Sequence, residues 1–191
     1  MTKILFINAC ARENSRTLEL AECVMRTLSG EREDVELYKT ALSPLDAQGI
    51  ESRAKASRTN DFSDGAFALA KQFAGADVIV VAAPYWDLMF PAVVKSYFEA
   101  VTVSGLTFVY GDNGIPRGLC KAQKLIYVTT SGGPIMHNFG YEYVTALAKS
   151  FYGIADVCCV SAQGLDIRGA DTDAILRAAK DSVNELLSEK N

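Results

Sequence analysis

The sequence predicts an α/β protein of three layers, in which helices cover both faces of a five-stranded parallel sheet of strand order 2-1-3-4-5. The first observation is an alternation along the chain. Short, continuous apolar runs, typical of strands buried on both faces, are separated by segments whose apolar residues recur at helical spacing. This alternation implies parallel strands joined by right-handed crossovers. The second observation is that five such strands occur without a second mononucleotide-binding half, which favours this order over a six-stranded dinucleotide-binding fold.

Length and composition indicate a single domain that spans residues 1–191. The hydrophobic fraction of 49% allows a substantial core. The net charge of -4 and the absence of a long basic run argue against nucleic acid as a partner. The N-terminal apolar run is too short for a signal peptide, and charged residues interrupt every longer one. We therefore expect no membrane segment and a cytoplasmic location.

Cysteine and histidine usage limits the kinds of site that the chain can form. Five cysteines show neither a C-x-x-C pair nor zinc-ligand spacing, which indicates free thiols in a reducing compartment. His137 is the only histidine, so zinc sites built on several histidines are excluded. We predict no metal site.

The first strand, loop and helix form the most informative stretch of the sequence. Residues 3–7 are an apolar run that predicts a buried strand, and a helix follows a polar loop from Ser15 onward. Loop amides and the first N–H groups of a helix favour an anion, as does the helix dipole. Thr17 adds a second hydroxyl, and Arg12 and Arg16 add guanidinium charge. The stretch predicts a phosphate site; the alternative is a helix cap with two surface arginines.

The segment between this helix and the central strand has weaker patterns. We predict a second strand at 35–38 and an irregular excursion, with at most one short helical turn, at 40–64. The apolar spacing at 64–74 predicts a helix. Residues 77–83 are a continuous, β-branched apolar run and predict the central strand.

The second half of the chain repeats the same alternation. Pro91 stands where a helix can begin, and apolar residues at helical spacing follow it as far as Val101. The remaining predicted segments are a glycine- and aromatic-rich excursion at 102–120, a fourth strand at 125–129, a helix at 141–152, a fifth strand at 157–160 and a closing helix at 171–187.

Three loops of the predicted sheet meet at one edge. In such sheets, ligands bind beyond the carboxyl ends of the strands where the strand order reverses, which here means the loops after strands one, three and four. The first loop offers the phosphate site, the second an aromatic surface, and the third a glycine pair that a flat ligand can approach closely. The residues are Tyr85, Trp86, Asp87 and Leu88 in the second loop, and Thr130, Ser131, Gly132 and Gly133 in the third. A ligand with a phosphate at one end and a flat aromatic ring at the other is FMN. G-x-G-x-x-G and P-loop motifs do not occur.

Four stretches together resemble the FMN-dependent azoreductase and NAD(P)H:quinone reductase family of the flavodoxin-like fold. They are Arg12 with Ser15-Arg16-Thr17, the run from Pro84 to Pro91 followed by Lys95, the arm Gly105-Leu106-Thr107-Phe108-Val109-Tyr110, and Thr130-Ser131-Gly132-Gly133. Their order and spacing match the family over about three quarters of the chain. The resemblance implies non-covalently bound FMN, a homodimer with the flavin ring near the subunit interface, and hydride transfer from NAD(P)H to quinones, azo compounds or similar flat acceptors.

The same resemblance assigns roles to individual residues. The expected FMN-binding residues are Cys10, Arg12, Ser15, Arg16, Thr17, Pro84, Tyr85, Trp86, Asp87, Leu88, Thr130, Ser131, Gly132 and Gly133. His137 is expected near the substrate, as the candidate catalytic side chain. Asp87 stands where the family usually has Asn, and a carboxylate beside a ring that becomes anionic on reduction would lower the flavin potential, become protonated or turn outward.

Two alternative functions remain open from the sequence. Cys10 and Arg16 fit the C-x5-R-[ST] pattern of low-molecular-weight tyrosine phosphatases, in which a thiolate attacks phosphorus. No Asp-Pro pair follows to act as a general acid. A non-enzymatic electron carrier of flavodoxin type is the other alternative, although flavodoxins are usually more acidic and lack the T-F-x-Y arm.

Overall fold

The computed structural model describes residues 1–183 and residue 185. The strands are β1 (Lys3–Asn8), β2 (Glu31–Glu36), β3 (Val78–Ala82), β4 (Phe108–Tyr110), β5 (Pro116–Gly118), β6 (Lys124–Thr130) and β7 (Asp156–Ala162). Five of them form one parallel sheet in the order β2-β1-β3-β6-β7, and β4 pairs with β5 in a separate antiparallel ribbon. Numbered within the large sheet, the order is 2-1-3-4-5, which confirms the predicted flavodoxin-like fold class.

Helices cover both faces of this sheet. They are α1 (Arg16–Thr27), α2 (Ala47–Thr59), α3 (Ala68–Gly75), α4 (Ala92–Val101), α5 (Phe139–Leu147) and α6 (Thr172–Asp181). Helices α1 and α6 share one apolar core with the sheet, whereas α3, α4 and α5 share the other. Among the described residues, no helix is both long enough and apolar enough to cross a bilayer.

The central strand β3 shows why the apolar runs predicted the sheet correctly. Ile79 and Val81 belong to one core, and Val80 and Ala82 belong to the other. Successive side chains of a strand point to opposite faces, so a strand covered on both faces must be apolar at every position. The parallel register of β3 with β1 and β6 aligns their carboxyl ends at one edge of the sheet.

The second strand is β2, and the prediction of residues 35–38 was wrong in its bounds. The strand lies at the edge of the sheet, where Glu31 pairs with Lys3 and Glu36 with Asn8. Its exposed positions are charged, and Arg32 binds both Glu22 and Asp34. An edge strand needs apolar residues only where it faces the core, so its signal is weaker than that of a central strand.

Helix α2 occupies much of residues 40–64, which the sequence analysis predicted to be irregular. Asp46 caps it by accepting a hydrogen bond from the Gly49 amide, and Asn60 ends it in the left-handed conformation at φ 51°. Ala56 is its buried residue, so the helix lies almost wholly on the surface. An exposed helix has little apolar periodicity, and the cap residues were its usable sequence signal.

The predicted excursion at 102–120 contains the β4–β5 ribbon. Thr107 is buried, and its hydroxyl accepts from the Val103 amide and donates to the Val101 carbonyl. Gly118 lies directly against the backbone of Tyr152, where an added Cβ would come within 2.1 Å of the carbonyl carbon. The ribbon is therefore fixed to the body of the protein at its second strand.

Three further helix bounds differ from the sequence expectation. The predicted helix at 64–74 is a 3-10 turn, Gly65–Phe67, followed by α3. The predicted helix at 141–152 is α5 followed by a π-helical turn, Ala148–Tyr152, which ends at Gly153 with φ 77°. The closing helix, predicted at 171–187, is α6, and residues 184, 186 and 187 of that prediction lie outside the described residues.

Candidate functional site

A cleft of about 190 Å³ opens at the carboxyl ends of β1, β3 and β6. Its walls come from all three loops that the sequence analysis singled out, and from the loop after β7 as well. The lining residues are Ala11, Arg12, Ser15, Arg16, Thr17, Pro84, Tyr85, Trp86, Thr130, Ser131, Gly132, Leu165 and Asp166. Segments more than 100 residues apart along the chain therefore converge on one site, as parallel strand ends require.

The first turn of α1 forms the polar end of this cleft. Ser15 is the N-cap, and its side chain accepts from the Leu18 amide at 3.4 Å. The first helical hydrogen bond is donated by the Glu19 amide to the Ser15 carbonyl, so the amides of Arg16 and Thr17 have no partner within the helix. This end combines the amides of the first helical turn, the positive end of the dipole and the Arg12 and Arg16 guanidinium groups, which suits a phosphate.

Thr17 joins the first loop to the third. It is buried, and its hydroxyl oxygen lies 2.6 Å from that of Thr130 at the end of β6. One of the two hydroxyls donates to the other, so one hydrogen of the pair stays available for a further acceptor. The Thr130 carbonyl accepts from the Tyr85 amide at 3.0 Å, which ties the aromatic loop to the same point.

The loop after β7 is a part of the site that the sequence analysis missed. Arg16 donates to the Leu165 carbonyl at 3.0 Å and to the Asp166 carboxylate at 2.7 Å. The sequence held one signal for this loop: it follows the carboxyl end of the fifth strand, and ligands of such sheets bind beyond the carboxyl ends of strands. Because Arg16 and Asp166 are 150 residues apart, their ion pair has no local sequence signature.

The aromatic loop turns through two residues in the left-handed conformation. Asp87 has φ 49° and Leu88 has φ 68°, and the amides and carbonyls of Trp86 and Met89 bond to each other across them. This is a two-residue hairpin with the φ values of a type I′ turn, which is strained for a leucine. The turn places Pro84, Tyr85 and Trp86 in the cleft wall and directs Asp87 and Leu88 outside the lining.

His137 lies near the cleft, although it is not part of the lining. The Tyr85 hydroxyl donates to the His137 carbonyl at 2.8 Å, and the imidazole stacks on the Phe139 ring with centroids 5.4 Å apart. The backbone of His137 thus anchors the aromatic wall. A direct role of its side chain in catalysis stays a prediction.

The glycine loop is bonded to the loop after β7 on one side. The Leu165 amide donates to the Ser131 carbonyl at 3.1 Å, and the Ser131 hydroxyl donates to the Gly133 carbonyl at 2.5 Å. A Cβ added at Gly133 would meet no atom within 4 Å. A Cβ added at Gly132 would come within 2.4 Å of the Asp166 carboxylate. Gly133 is exposed and lies beyond the cleft lining.

Cys10 lies outside this cleft and lines a neighbouring one of about 380 Å³, which shares the walls formed by Ala11 and Arg12. Burial raises the pKa of the Cys10 thiol, against a smaller opposing effect of its hydrogen bond with Ser15. A nucleophilic cysteine needs a lowered pKa, so this environment does not favour the phosphatase alternative. Among the described residues, no cluster of His, Cys, Asp or Glu side chains is arranged to hold a metal ion.

Comparison with known proteins places the chain in a family. A family model described as flavodoxin-like fold matches residues 2–187. An FMN-dependent NADH:quinone oxidoreductase of Coprothermobacter proteolyticus is 32% identical over 99% of this chain and 100% of its own length. A second, of Clostridium acetobutylicum, is 31% identical over 99% and 100% of the two chains.

Solved structures agree on the fold. An azoreductase from Bacillus anthracis superimposes with a TM-score of 0.83 at 24% identity, covering 97% of this chain and 98% of its own. An FMN-dependent NADH-azoreductase from the same species, solved in complex with FMN, gives 0.79 at 21% identity over 97% of each chain.

Proposed function

The chain belongs to the flavodoxin-like family that contains the FMN-dependent NADH:quinone oxidoreductases related to it, and on that premise we propose that it is an FMN-dependent oxidoreductase. In this proposal it transfers a hydride from NAD(P)H to quinones, azo compounds or similar flat acceptors. The observation that carries the proposal is the cleft itself, in which a phosphate-type end and an aromatic wall lie within one site.

The hydrogen-bond donors and cations at one end of the cleft suit the phosphate of FMN. Ser15, Arg16 and Thr17 would hold the phosphate at the start of α1, with Arg12 as a second cation. The bound coenzyme would be non-covalent, and the nearby Cys10 lines the neighbouring cleft rather than this one.

The other end of the cleft would hold the flavin ring. Tyr85 and Trp86 would line one edge of it, and Asp87 and Leu88, which lie at the turn outside the cleft lining, would extend that edge. The third loop would line the opposite edge, where the backbone is accessible at Gly133. These ring contacts make up the remaining part of the binding site that we propose.

Bound FMN would supply the redox chemistry, and the protein would supply orientation and electrostatics. The hydrogen bond from the Tyr85 hydroxyl to the His137 carbonyl joins the aromatic wall to the segment just before α5. The backbone N–H groups of Gly132 and Gly133 would donate to negative charge that develops on a bound ring. Trp86 is 44% exposed, so a flat acceptor would stack on the outer side of this wall, and His137 would lie near it.

We extend the proposal to the assembly and location of the protein. Residues 1–191 would form one FMN-binding domain, and two copies would form a homodimer. Large apolar side chains are exposed in the aromatic loop and in the segment that leads into α5, Leu88 at 48% and Met136 at 77%, together with Trp86 and Phe139. A second copy of the chain would cover them. All five cysteines are unbridged, which favours the cytoplasm.

The absorption spectrum of the purified protein tests this function. We expect a flavin spectrum, release of FMN on denaturation, and bleaching by NADH or NADPH in the absence of oxygen. Steady oxidation of NAD(P)H with a quinone, by the protein alone, would distinguish an enzyme from an electron carrier. Protein that is colourless and stays empty after incubation with FMN would contradict the proposal.

A further inference from the structure

We propose that Asp166 competes with the coenzyme phosphate for Arg16 and so limits how strongly the cleft prefers a phosphorylated flavin over an unphosphorylated one. This inference rests on the proposed function and assigns a specificity-determining role to a residue of the loop after β7.

The ion pair lies inside the phosphate end of the cleft. Arg12, Arg16 and Asp166 are the charged residues that line the cleft, so its lining holds two guanidinium groups and one carboxylate. The Arg16 side chain is 32% exposed and already donates to both Leu165 and Asp166. A guanidinium has five N–H donors in one plane, so a phosphate can still bind Arg16, but it must share the cation with Asp166.

The position of the carboxylate is fixed by backbone hydrogen bonds. The Asp166 amide donates to the Gly132 carbonyl at 2.9 Å, and the Gly164 amide donates to the Gly133 carbonyl at 3.2 Å. One carboxylate oxygen binds Arg16, and the other lies beside Gly132, where a Cβ would come within 2.4 Å of it. Asp166 is therefore held between the phosphate end of the cleft and the glycine loop.

Two opposite effects of Asp166 on phosphate binding can be separated. The first is the tether, by which we mean that the carboxylate orients Arg16 through its hydrogen bond and so favours binding. The second is the repulsion between the carboxylate and the phosphate, which disfavours binding. The tether contributes little, because the Leu165 carbonyl also holds Arg16 and a bound phosphate would itself orient the guanidinium. The repulsion has no such substitute. It is reduced by solvent, since the Asp166 side chain is 65% exposed, so we expect a modest net effect.

The variant Asp166→Asn removes the charge and keeps an oxygen that can accept from Arg16. We expect its dissociation constant for FMN to fall about fivefold, the size of a screened charge contact. Riboflavin has no phosphate, so its dissociation constant should change by less than about twofold. Both are measured by quenching of flavin fluorescence with the full chain stripped of its flavin. The gain for FMN should shrink as salt is raised, because salt screens the repulsion.

Two further variants complete the test. Asp77→Asn makes the same change in net charge at the amino end of β3, away from the cleft. Asp77 pairs there with Lys121 at 2.8 Å, and its replacement should leave the preference for FMN unchanged. Asp166→Ala removes tether and charge together, and should also tighten FMN binding.

The possible outcomes distinguish this inference from the function on which it rests. Weaker FMN binding by Asp166→Ala, with no gain in Asp166→Asn, would show that Asp166 only positions Arg16 and would overturn the inference while the function stands. An equal gain for riboflavin would also overturn it, since the phosphate would not be involved. A wild-type chain that binds neither flavin would overturn both.

Discussion

Thr17 and Thr130 show how a single pair of side chains joins the two halves of the site. Both residues are buried, and their hydroxyl oxygens lie 2.6 Å apart between the start of α1 and the end of β6. A hydroxyl buried without a partner costs free energy, whereas two apolar groups of the same shape cost little. The pair therefore fixes the phosphate end of the cleft relative to the sheet.

The variant Thr17→Val should lower the free energy of unfolding by about 1–2 kcal/mol, because it leaves the Thr130 hydroxyl buried without its partner. The double variant, Thr17→Val with Thr130→Val, should recover most of this loss. Urea denaturation of the flavin-free protein measures both. Thr27→Val, at the exposed end of α1, is the matched control and should change stability by less than about 0.5 kcal/mol. Additive losses in the double variant would contradict the proposed coupling.

At the scale of elements, the turn at Asp87 and Leu88 is the clearest case of local strain at the site. Both residues have positive φ, which favours Gly, Asn or Asp and disfavours a leucine. The Leu88 carbonyl accepts from the Phe139 amide at 3.2 Å, so the turn is also bonded to the start of α5. Strain of this kind persists where the surrounding structure imposes it, which is common in binding loops.

Replacing Leu88 with Asn should raise the free energy of unfolding by about 0.5–1 kcal/mol, because Asn tolerates the left-handed conformation. The same variant should bind FMN more weakly, since Leu88 is a proposed contact of the ring edge. Thermal unfolding and flavin titration measure the two effects. Leu119 is similarly exposed at 41% but has no positive φ, so Leu119→Asn should not stabilise the protein. Loss of stability in Leu88→Asn would show that its apolar contacts outweigh the strain.

The elements differ in how well the sequence predicted them, and burial explains the difference. Strands β1, β3, β6 and β7 were predicted within two residues at each end, because strands covered on both faces must be continuously apolar. The edge strand β2 has charged, exposed positions, and its bounds were wrong. Helix α2 was missed because it buries little more than Ala56.

At the scale of the whole molecule, topology determined which parts of the site could be predicted. Once the strand order was known, the loops after β1, β3 and β6 had to meet, and Arg16, Trp86 and Gly132 do line one cleft. The contact of Arg16 with Asp166 was not predictable in this way. It depends on side-chain geometry between the first and last loops of the sheet, for which a single sequence holds no pattern.

Two half-buried thiols also make the stability of the whole molecule fall at alkaline pH. Burial raises the pKa of Cys120 to about 12, and burial raises that of Cys159 to about 12 as well, with a smaller contribution from Cys158. In the unfolded chain these thiols ionise near their ordinary value of 9.0. The folded state therefore keeps protons that the unfolded state loses as the pH rises above 9, so stability is fully present below that pH and declines above it.

We expect the free energy of unfolding to fall between pH 9 and pH 12, with each of these two thiols contributing up to about 1.4 kcal/mol per pH unit. Urea denaturation in reducing buffer at pH 8, 9.5 and 10.5 measures the slope. The double variant Cys120→Ala with Cys159→Ala should start less stable, because it loses packing, but should show a shallower slope. Cys23→Ala, at a half-buried position of α1 that packs against the other core, is the matched control and should keep the wild-type slope. If the double variant kept that slope too, groups other than these thiols would set the alkaline limit.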